Sequence, residues 1–375
     1  GSRAEYFLLK LLMNEINNSD FFELQLIVTG MHMSPEFGFT YNDILADGFK
    51  VNKKIETILS SDTKVGTIKS VGLGLISFGE AFQELNPDLV LMLGDRFEIF
   101  AAASAAMISG IPIAHLYGGE HTEGSIDDML RNAITKMSNI HFASTETYRN
   151  RIIQMGENSE HVHTVGALGI DSIKKVKLLS KKQVENRLNF PFRKKNILIA
   201  YHPETSGEIN IKKNFNILLD VISSLDDTSV IFTSSNADAG GRVINKMIND
   251  FVSSNSKIHI HMPSLGHQLF FSTIKYVDIV IGNSSSGIIE VPSLLTPTIN
   301  IGTRQKGRIL PLSVQSCDYS YNKIKCLIKN IYNEKKQNKN YDTPYGDGQA
   351  TKKIMEVLEK FNAKQHLSKS FFDIN

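Results

Sequence analysis

Short apolar runs that alternate with helix-like segments constrain the fold of this chain more than any other sequence feature. The run at 88–93 has no helical periodicity and ends at Gly94, as is typical of a buried parallel strand. An alanine-rich segment over 99–108 then predicts a helix, and a second apolar strand begins at Ile111. A strand, a helix and a further strand in this order indicate a parallel sheet with crossover helices.

The same alternation continues through most of the chain. Further strands are predicted over 24–28, 111–115, 140–143, 161–165, 196–201, 229–233, 257–261, 278–281 and 298–301, and further helices over 7–16, 68–85 and 350–361. The pattern predicts the α/β class with doubly wound parallel sheets. At 375 residues the chain is long enough for about two domains. A polar, lysine-rich stretch over 172–195 is the candidate hinge between them.

Composition and charge exclude several function classes. The net charge of +2 gives no strong field for nucleic acid or for an anionic membrane. The longest apolar stretch, 99–116, is interrupted by Gly110 and Pro112 and is too short for a typical membrane span. Cys317 and Cys326 have no metal-like spacing, which favours free thiols in a reducing compartment. With no signal peptide recognised, we expect a cytoplasmic protein.

Acidic residues follow two neighbouring predicted strands. Asp95 comes directly after the strand at 88–93, and Glu120, Asp127 and Asp128 follow the next strand, with Arg131 close behind. Ligands of open α/β sheets bind beyond the carboxyl ends of the strands. Carboxylates that lie close together raise one another's pKa, which suits general acid and base catalysis. We therefore expect these five residues to be catalytic.

Two other interpretations of these acids stay open. Ser125 to Asp128 fits a capping box, and Asp127 with Arg131 fits an i,i+4 helix pair, so the two aspartates could serve the helix alone. Metal binding is the other alternative. The spacing matches no metal motif, however, and Arg96 lies among the acids. We expect no metal and no cofactor.

A serine-rich loop between a strand and a helix points to phosphate. The segment at 282–287 reads Gly-Asn-Ser-Ser-Ser-Gly, so its small residues let a ligand approach the backbone. Hydroxyls and helix amino-terminal amides donate to phosphate oxygens, and Glu290 could bind ribose hydroxyls. The alternative is that the serines only cap the amino terminus of the helix. The candidate phosphate residues of this loop are Ser284, Ser285, Ser286 and Gly287.

Three further polar residues follow predicted strands in this half of the chain. His202 lies at the end of the strand at 196–201 and could contact phosphate or act as an acid. Arg304 and Arg308 follow the strand at 298–301. Their guanidinium groups suit a diphosphate, or the carboxyl ends of neighbouring helices.

Taken in order, these motifs are similar to those of the hydrolysing UDP-N-acetylglucosamine 2-epimerases. The resemblance covers nearly the whole chain, and together its motifs are specific. They are Gly-Ser-Arg-Ala-Glu-Tyr at 1–6, Val-Thr-Gly-Met-His at 28–32, Gly-Asp-Arg at 94–96, His-Leu-Tyr-Gly-Gly-Glu at 115–120, Ile-Asp-Asp at 126–128, His-Pro-Glu-Thr at 202–205, Ser-Asn-Ala-Asp at 235–238, the serine loop through Glu290, and Gly-Thr-Arg-Gln-Lys-Gly-Arg at 302–308.

The resemblance implies two Rossmann-like domains that face a cleft, as in the GT-B fold, with the last helix returning to the first domain. We expect the first domain to comprise 1–170 and 355–375, and the second to comprise 171–354. In the family the Gly-Ser-Arg turn follows a first strand, so we expect that strand to be missing from this sequence. The family also implies a homodimer or homotetramer.

For function, the resemblance implies hydrolysis of UDP-N-acetylglucosamine to N-acetylmannosamine and UDP for sialic acid synthesis. A nucleotide sugar is then the small-molecule partner, and neither nucleic acid nor a membrane is expected. The residues that would bind uridine diphosphate are Arg3, His202, Asn236, Ser284, Ser285, Ser286, Gly287, Glu290, Arg304 and Arg308, and the catalytic residues would be Asp95, Glu120, Asp127, Asp128, Arg131 and His202. Tyr117 departs from the family, because many members have a functional glutamate there. The same reaction on UDP-2,4-diacetamido-2,4,6-trideoxyglucose in legionaminic acid synthesis, and a GT-B glycosyltransferase, are the alternatives.

Overall fold

In the computed structural model the chain folds as two compact units. Residues 1–34, 39–57, 63–204, 211–235, 240–333, 343–362 and 369–373 are described. Unit 1 comprises Gly1–Glu120, Ile126–Ser172 and Tyr345–Asn375, and unit 2 comprises His121–Ser125 and Ile173–Pro344. The expected first boundary, after residue 170, lies two residues before the one observed. The return to unit 1 comes ten residues earlier than expected, at Tyr345.

The described strands and helices alternate along the chain. The strands are β1 (Ile27–Thr29), β2 (Lys53–Ile55), β3 (Val90–Leu93), β4 (Ile113–Leu116), β5 (Ile140–Ala143), β6 (Val162–Thr164), β7 (Lys195–Ala200), β8 (Thr228–Thr233), β9 (His259–Met262), β10 (Ile279–Gly282), β11 (Thr298–Ile301) and β12 (Val314–Cys317). The helices are α1 (Arg3–Asn17), α2 (Tyr41–Ala46), α3 (Lys64–Leu85), α4 (Phe97–Ile108), α5 (Ile126–Met137), α6 (Glu146–Gln154), α7 (Leu168–Lys175), α8 (Lys181–Leu188), α9 (Ile211–Ser223), α10 (Gly241–Ser254), α11 (Gly266–Ile274), α12 (Ser286–Ile289), α13 (Tyr321–Asn333) and α14 (Ala350–Leu358).

All described strand pairs are parallel, which confirms the predicted α/β class. In unit 1, β3, β4, β5 and β6 form one sheet in this order, and β1 pairs with β2 in a separate one. In unit 2 the order is β12-β11-β10-β7-β8-β9. The chain order reverses between β7 and β10, and such a switch point is where doubly wound sheets bind ligands.

The sequence analysis did not predict β2 and β12, because both strands lie at sheet edges. The three residues of β2 include two lysines, and β2 pairs only with β1. Strand β12 has the sequence Val-Gln-Ser-Cys and forms the outer edge of the sheet in unit 2. Edge strands keep part of their surface in water, so they need no apolar run. The last helix also ends three residues earlier than predicted, at Leu358.

Apolar clusters cover both faces of each main sheet. In unit 2, Ile197 and Ile199 of β7 pack with α9 and α10 on one face, whereas Leu198 points to the opposite cluster with α11. In unit 1, Met92 packs with the alanines of α4 on one face. Leu93 packs on the other face, with residues of α1 and α14. Successive strand residues therefore face opposite clusters, which is why these strands read as continuous apolar runs.

We predict that Gly282 is required by the fold of unit 2, unlike the exposed Gly72 in α3. Gly282 has φ +149°, and a Cβ there would lie 2.0 Å from the backbone oxygen of Ala200, whereas a Cβ at Gly72 would meet nothing within 4 Å. Gly282→Ala should lower the free energy of unfolding by about 3 kcal/mol or more. Gly72→Ala should raise it by roughly 0.5–1 kcal/mol. Urea unfolding followed by circular dichroism measures both, and equal effects would contradict this prediction.

Candidate active site

Three of the predicted catalytic residues of unit 1 converge on the buried guanidinium group of a fourth, Arg131. Arg131, in the second turn of α5, is 2% exposed and forms an ion pair with Asp95, which follows β3. Its Nη1 atom donates to Asp128 Oδ1 at 3.0 Å and to the backbone oxygen of Glu120 at 2.8 Å. Residues from the ends of two strands and from one helix are thereby held together at the carboxyl edge of the sheet.

Arg131 changes the electrostatic interpretation of the acids. The sequence suggested carboxylates that crowd one another, whereas in the structure a guanidinium group contacts both Asp95 and Asp128. The observed helix pair of Arg131 is with Asp128, three residues earlier, and the i,i+4 partner proposed from the sequence, Asp127, is exposed. The Glu120 side chain is buried and accepts from Ser144 Oγ at 3.3 Å.

His115 fixes the backbone just before Asp95, a role that the sequence analysis missed. The ring is fully buried in β4, and burial lowers its pKa to about 3, so it is uncharged at neutral pH. Its Nε2 atom lies 2.8 Å from the Gly94 oxygen and must donate, because a carbonyl only accepts. Nδ1 then accepts from Thr135 of α5 at 3.2 Å. The sequence feature that could have identified this role is a histidine within an otherwise apolar strand.

Tyr117, at the position where many family members have glutamate, is built into the packing of unit 1. Its backbone has φ +66°, a conformation that is uncommon for a residue with a side chain. The hydroxyl accepts from the backbone N–H of Leu168 at 2.9 Å, at the start of α7, and the ring packs against the cluster that includes Leu116. Tyr117 therefore links the acid-bearing loop to α7.

In unit 2 the serine loop follows β10, at the switch point of the sheet. Ser284, Ser285 and Ser286 are half-buried, and Gly287 is buried against Thr298. Helix α12 has only four residues and continues as a 3-10 turn over Val291–Leu294. So short a helix has a weak dipole, and most donors to a phosphate there would come from hydroxyls and loop amides.

Asn283 joins the three strand-end segments around the switch point. Its side chain accepts from the backbone N–H of His202 and donates to the His202 oxygen, both at 2.8 Å. Its backbone oxygen accepts from Arg304 at 3.1 Å and from Gln305 at 2.8 Å. Asn283 is 1% exposed, so it serves as a buried connector of β7, β10 and β11.

His202 is uncharged in this arrangement. Burial, with a smaller contribution from the Arg304 guanidinium, lowers the pKa of His202 to about 3. The imidazole can donate one hydrogen bond to a phosphate oxygen, but it brings no positive charge. Charge compensation for a diphosphate in unit 2 therefore falls to arginine side chains such as Arg304.

Glu204 binds the segments that follow β11 and β12 at the same edge of the sheet. One carboxylate oxygen accepts from the Thr303 backbone at 2.7 Å and from Tyr319 at 2.8 Å. It lies so close to Gly302 that a Cβ there would be 2.0 Å away. The sequence analysis quoted Glu204 within a motif but gave it no role, because its partners lie about a hundred residues further along the chain.

The remaining candidate residues are more dispersed. Arg3 is exposed in the first turn of α1, Arg308 is half-buried, and Glu290 is buried at the carboxyl end of α12. Asn236 lies outside the described residues. Within the described ranges, no group of three or more His, Cys, Asp or Glu side chains could hold a metal ion. No helix in the described parts of the chain has the length and apolar character needed to cross a bilayer.

Comparison with known proteins finds a family model and several similar proteins. The family model described as UDP-N-acetylglucosamine 2-epimerase matches residues 14–359. A Campylobacter jejuni protein named GDP/UDP-N,N'-diacetylbacillosamine 2-epimerase (hydrolyzing) is 42% identical, over 86% of this chain and 85% of its own. A Legionella pneumophila protein named UDP-N,N'-diacetylbacillosamine 2-epimerase (hydrolyzing) is 34% identical, over 96% and 94% respectively.

Solved structures show the same fold. The crystal structure of UDP-GlcNAc 2-epimerase from Neisseria meningitidis bound to UDP-GlcNAc matches with a TM-score of 0.80 at 21% identity, and the match covers 96% of this chain and 98% of that one. This likeness confirms the predicted GT-B-like fold.

We predict that the buried Arg131 stabilises unit 1 far more than an exposed ion pair does. Arg131→Met would leave Asp95 and Asp128 without their cation, which typically costs about 3–5 kcal/mol of unfolding free energy. The control, Lys323→Met, removes an exposed pair with Asp318 at 2.9 Å and should cost under about 1 kcal/mol. Urea unfolding of the two variants compares them, and a similar loss in both would show that Arg131 is not the centre of the cluster.

Proposed function

The chain belongs to the UDP-N-acetylglucosamine 2-epimerase family, and on that basis we propose that it is a hydrolysing 2-epimerase of a nucleotide-linked 2-acetamido sugar. The observation that carries the proposal is the group around Arg131. It gathers Asp95, Asp128 and the Glu120 backbone at the carboxyl edge of a parallel sheet. A general base and a general acid are what proton exchange at carbon 2 requires.

In the proposed reaction, a carboxylate removes the proton on carbon 2 while the bond between carbon 1 and the diphosphate oxygen breaks. The products of this step are the nucleoside diphosphate and a 2-acetamidoglucal. Water then adds its oxygen to carbon 1, and a proton is delivered to carbon 2 from the opposite face. The sum is nucleotide sugar plus water giving a free manno-configured sugar and the nucleoside diphosphate.

We assign Asp95 to one of the two proton transfers. Glu120 is our first choice for the other, because its side chain is buried with Ser144 as a partner, whereas Asp127 is exposed to water. Exclusion of water strengthens the electrostatic interactions of a reacting group. In this proposal Arg131 holds the acids in place, and Asp128 supports Arg131.

We propose that unit 2 binds the diphosphate at the switch point between β7 and β10. The hydroxyls of Ser284, Ser285 and Ser286 would donate to its oxygens, and Arg304 would offset its charge, as preorganised donors do for a leaving group. His202 would add a neutral N–H donor, and Glu290 would accept from ribose. Gly287 and Arg308 remain candidate contacts because of their places after predicted strands, and Arg3 and Asn236 remain candidates through the family resemblance alone.

For the sugar, the relatives favour the alternative that the sequence analysis ranked second. Both relatives described above carry names that specify N,N'-diacetylbacillosamine, which is a 2,4-diacetamido-2,4,6-trideoxyglucose. We therefore propose this sugar first, with UDP or GDP as the nucleotide. UDP-N-acetylglucosamine is the second candidate, supported by the structural likeness to an enzyme bound to that compound. We also propose a homo-oligomer, as the family resemblance implies, and a cytoplasmic enzyme that uses no cofactor, as the sequence analysis predicts.

Proton NMR in deuterium oxide tests this proposal. With the UDP-linked diacetamido sugar we expect UDP and the free manno-configured sugar to appear one-for-one, without any acceptor, and the product to carry solvent deuterium on carbon 2. Accumulation of a nucleotide-linked manno sugar would indicate a non-hydrolysing epimerase, and a need for an acceptor would indicate a glycosyltransferase. Faster turnover of UDP-N-acetylglucosamine would reverse the order of the two sugars.

We predict that Asp95→Asn abolishes most of the activity and leaves unit 1 folded. Asparagine keeps the shape and a carbonyl oxygen for Arg131, but it cannot exchange a proton, so kcat should fall about 100- to 10,000-fold. Steady-state kinetics and a thermal melt measure the two effects. The control, Asp318→Asn, alters an exposed residue paired with Lys323 and should leave both unchanged. An Asp95→Asn enzyme within about threefold of the wild type would remove Asp95 from the mechanism.

A further inference from the structure

A chain of three side chains in unit 2 lies outside the groups assigned above. Ser234 follows the last residue of β8, His261 lies in β9, and Asn249 is on α10. Ser234 Oγ lies 2.8 Å from His261 Nε2, and His261 Nδ1 lies 2.6 Å from Asn249 Oδ1. These hydrogen bonds connect α10 to the carboxyl edge of the sheet.

The chemistry of these atoms fixes the direction of both hydrogen bonds. Asn249 Oδ1 can only accept, so His261 Nδ1 carries a hydrogen and donates it. Burial lowers the pKa of His261, so the ring is neutral at pH 7 and its Nε2 atom bears a lone pair. Ser234 must then donate its own hydrogen to Nε2. Its remaining lone pairs can only accept, so Ser234 behaves as an oriented acceptor.

The position of Ser234 restricts what it can meet. Strand β8 lies next to β7, and neighbouring strands are about 4.8 Å apart, so Ser234 lies one strand away from the switch point. On the opposite side, beyond β11, Glu204 with Tyr319 occupies the edge. A ligand that extends from the switch point along this sheet therefore passes the end of β8. The neighbouring Ser235 supports a ligand here, because its hydroxyl is buried and has no hydrogen-bond partner within the described ranges.

An acceptor at this place does not suit a diphosphate, whose oxygens carry no hydrogen to donate when it is fully ionised. The nucleoside part of the ligand does have donors. Uracil presents an N3–H group between two carbonyl oxygens, and guanine presents N1–H. Cytosine and adenine have an unprotonated ring nitrogen at the corresponding place, and its lone pair would oppose that of Ser234.

We propose that Ser234, oriented by His261 and Asn249, accepts a hydrogen bond from the ring N–H of the base and so selects uracil or guanine nucleotides over cytosine and adenine nucleotides. The proposal rests on the proposed function, in which unit 2 holds the nucleoside diphosphate. Ser234 is the residue that contacts the base, and His261 and Asn249 are positioning residues. One hydrogen bond of this kind separates matched from mismatched bases by roughly threefold to tenfold, and an opposed lone pair increases the ratio.

Calorimetric titration of the full chain with UDP and with CDP tests the proposal. The wild type should bind UDP more tightly than CDP. Ser234→Ala should weaken UDP binding roughly threefold to tenfold and leave CDP unchanged or tighter, so the ratio of the two dissociation constants collapses. The matched control is Ser253→Ala on α10, whose hydroxyl donates to the Asn249 backbone oxygen, and it should keep the wild-type ratio.

The hydrogen-bonded relay of Ser234, His261 and Asn249 is tested separately through Asn249. Asn249→Ala removes the acceptor that fixes the histidine tautomer, so base selectivity should fall. Asn249→Asp keeps an acceptor but adds a negative charge, which raises the pKa of His261. A protonated ring donates to Ser234 from Nε2, so base selectivity should fall in this variant too, and most at low pH. A purely structural role for the relay would lower thermal stability in Asn249→Ala while leaving the UDP-to-CDP ratio intact. That result, or equal weakening of UDP and CDP by Ser234→Ala, would overturn the proposal.

The same titrations distinguish this failure from failure of the proposed function. Absence of UDP binding to the wild type, or unchanged UDP affinity in both Ser284→Ala and Ser285→Ala, would refute nucleotide binding at the serine loop. Loss of UDP affinity in those variants, combined with an unchanged base ratio in Ser234→Ala, would refute only the role of Ser234. If Ser234→Ala does not fold, the Asn249 pair and the wild-type preference for UDP over CDP decide.

Discussion

The burial of the Arg131 guanidinium group is the constraint on which the candidate catalytic edge of unit 1 depends. A buried guanidinium is costly unless its donors are satisfied, and here Asp95, Asp128 and the Glu120 oxygen satisfy them. Each of these acceptors lies on a different segment. The fold can bury Arg131 only if the end of β3, the loop after β4 and the start of α5 meet at one place. The requirement to neutralise one cation therefore also assembles the acids.

A second layer of contacts keeps that place fixed. His115 ties the Gly94 oxygen to Thr135, four residues after Arg131 and so on the same side of α5. Tyr117 ties the loop after β4 to the start of α7. Neither side chain needs to react for the acids to depend on it. The aromatic residue at the position of the family glutamate is thus compatible with an ordered edge, and it leaves proton transfer to the neighbouring acids in our proposal.

Unit 2 meets the same demand for a rigid edge with an amide. Gly282 lets β10 approach Ala200 at the switch point. Asn283 then binds the His202 backbone through its side chain, and its backbone oxygen accepts from the Arg304 and Gln305 side chains after β11. An amide side chain can both donate and accept, and the backbone oxygen accepts as well, so one uncharged residue connects three loops without adding charge near a diphosphate. The relay from Asn249 to Ser234 follows the same logic one strand further along, where a neutral histidine fixes the direction of each hydrogen bond.

The sequence by itself determined the class of the fold and the segments that carry the chemistry. Strands that are buried on both faces of a parallel sheet appear in the sequence as continuous apolar runs, so ten strands could be predicted from local pattern. The serine loop and the acids after β3 and β4 could be identified from their places after those runs. Only the tertiary structure decided the partners. The pairing of Arg131 with Asp95 across 36 residues, the junction at Asn283 and the edge strands β2 and β12 depend on contacts between distant segments. Local periodicity carries no information about such contacts, because hydrogen-bond direction and ion pairing are set by which loops the sheet order brings together.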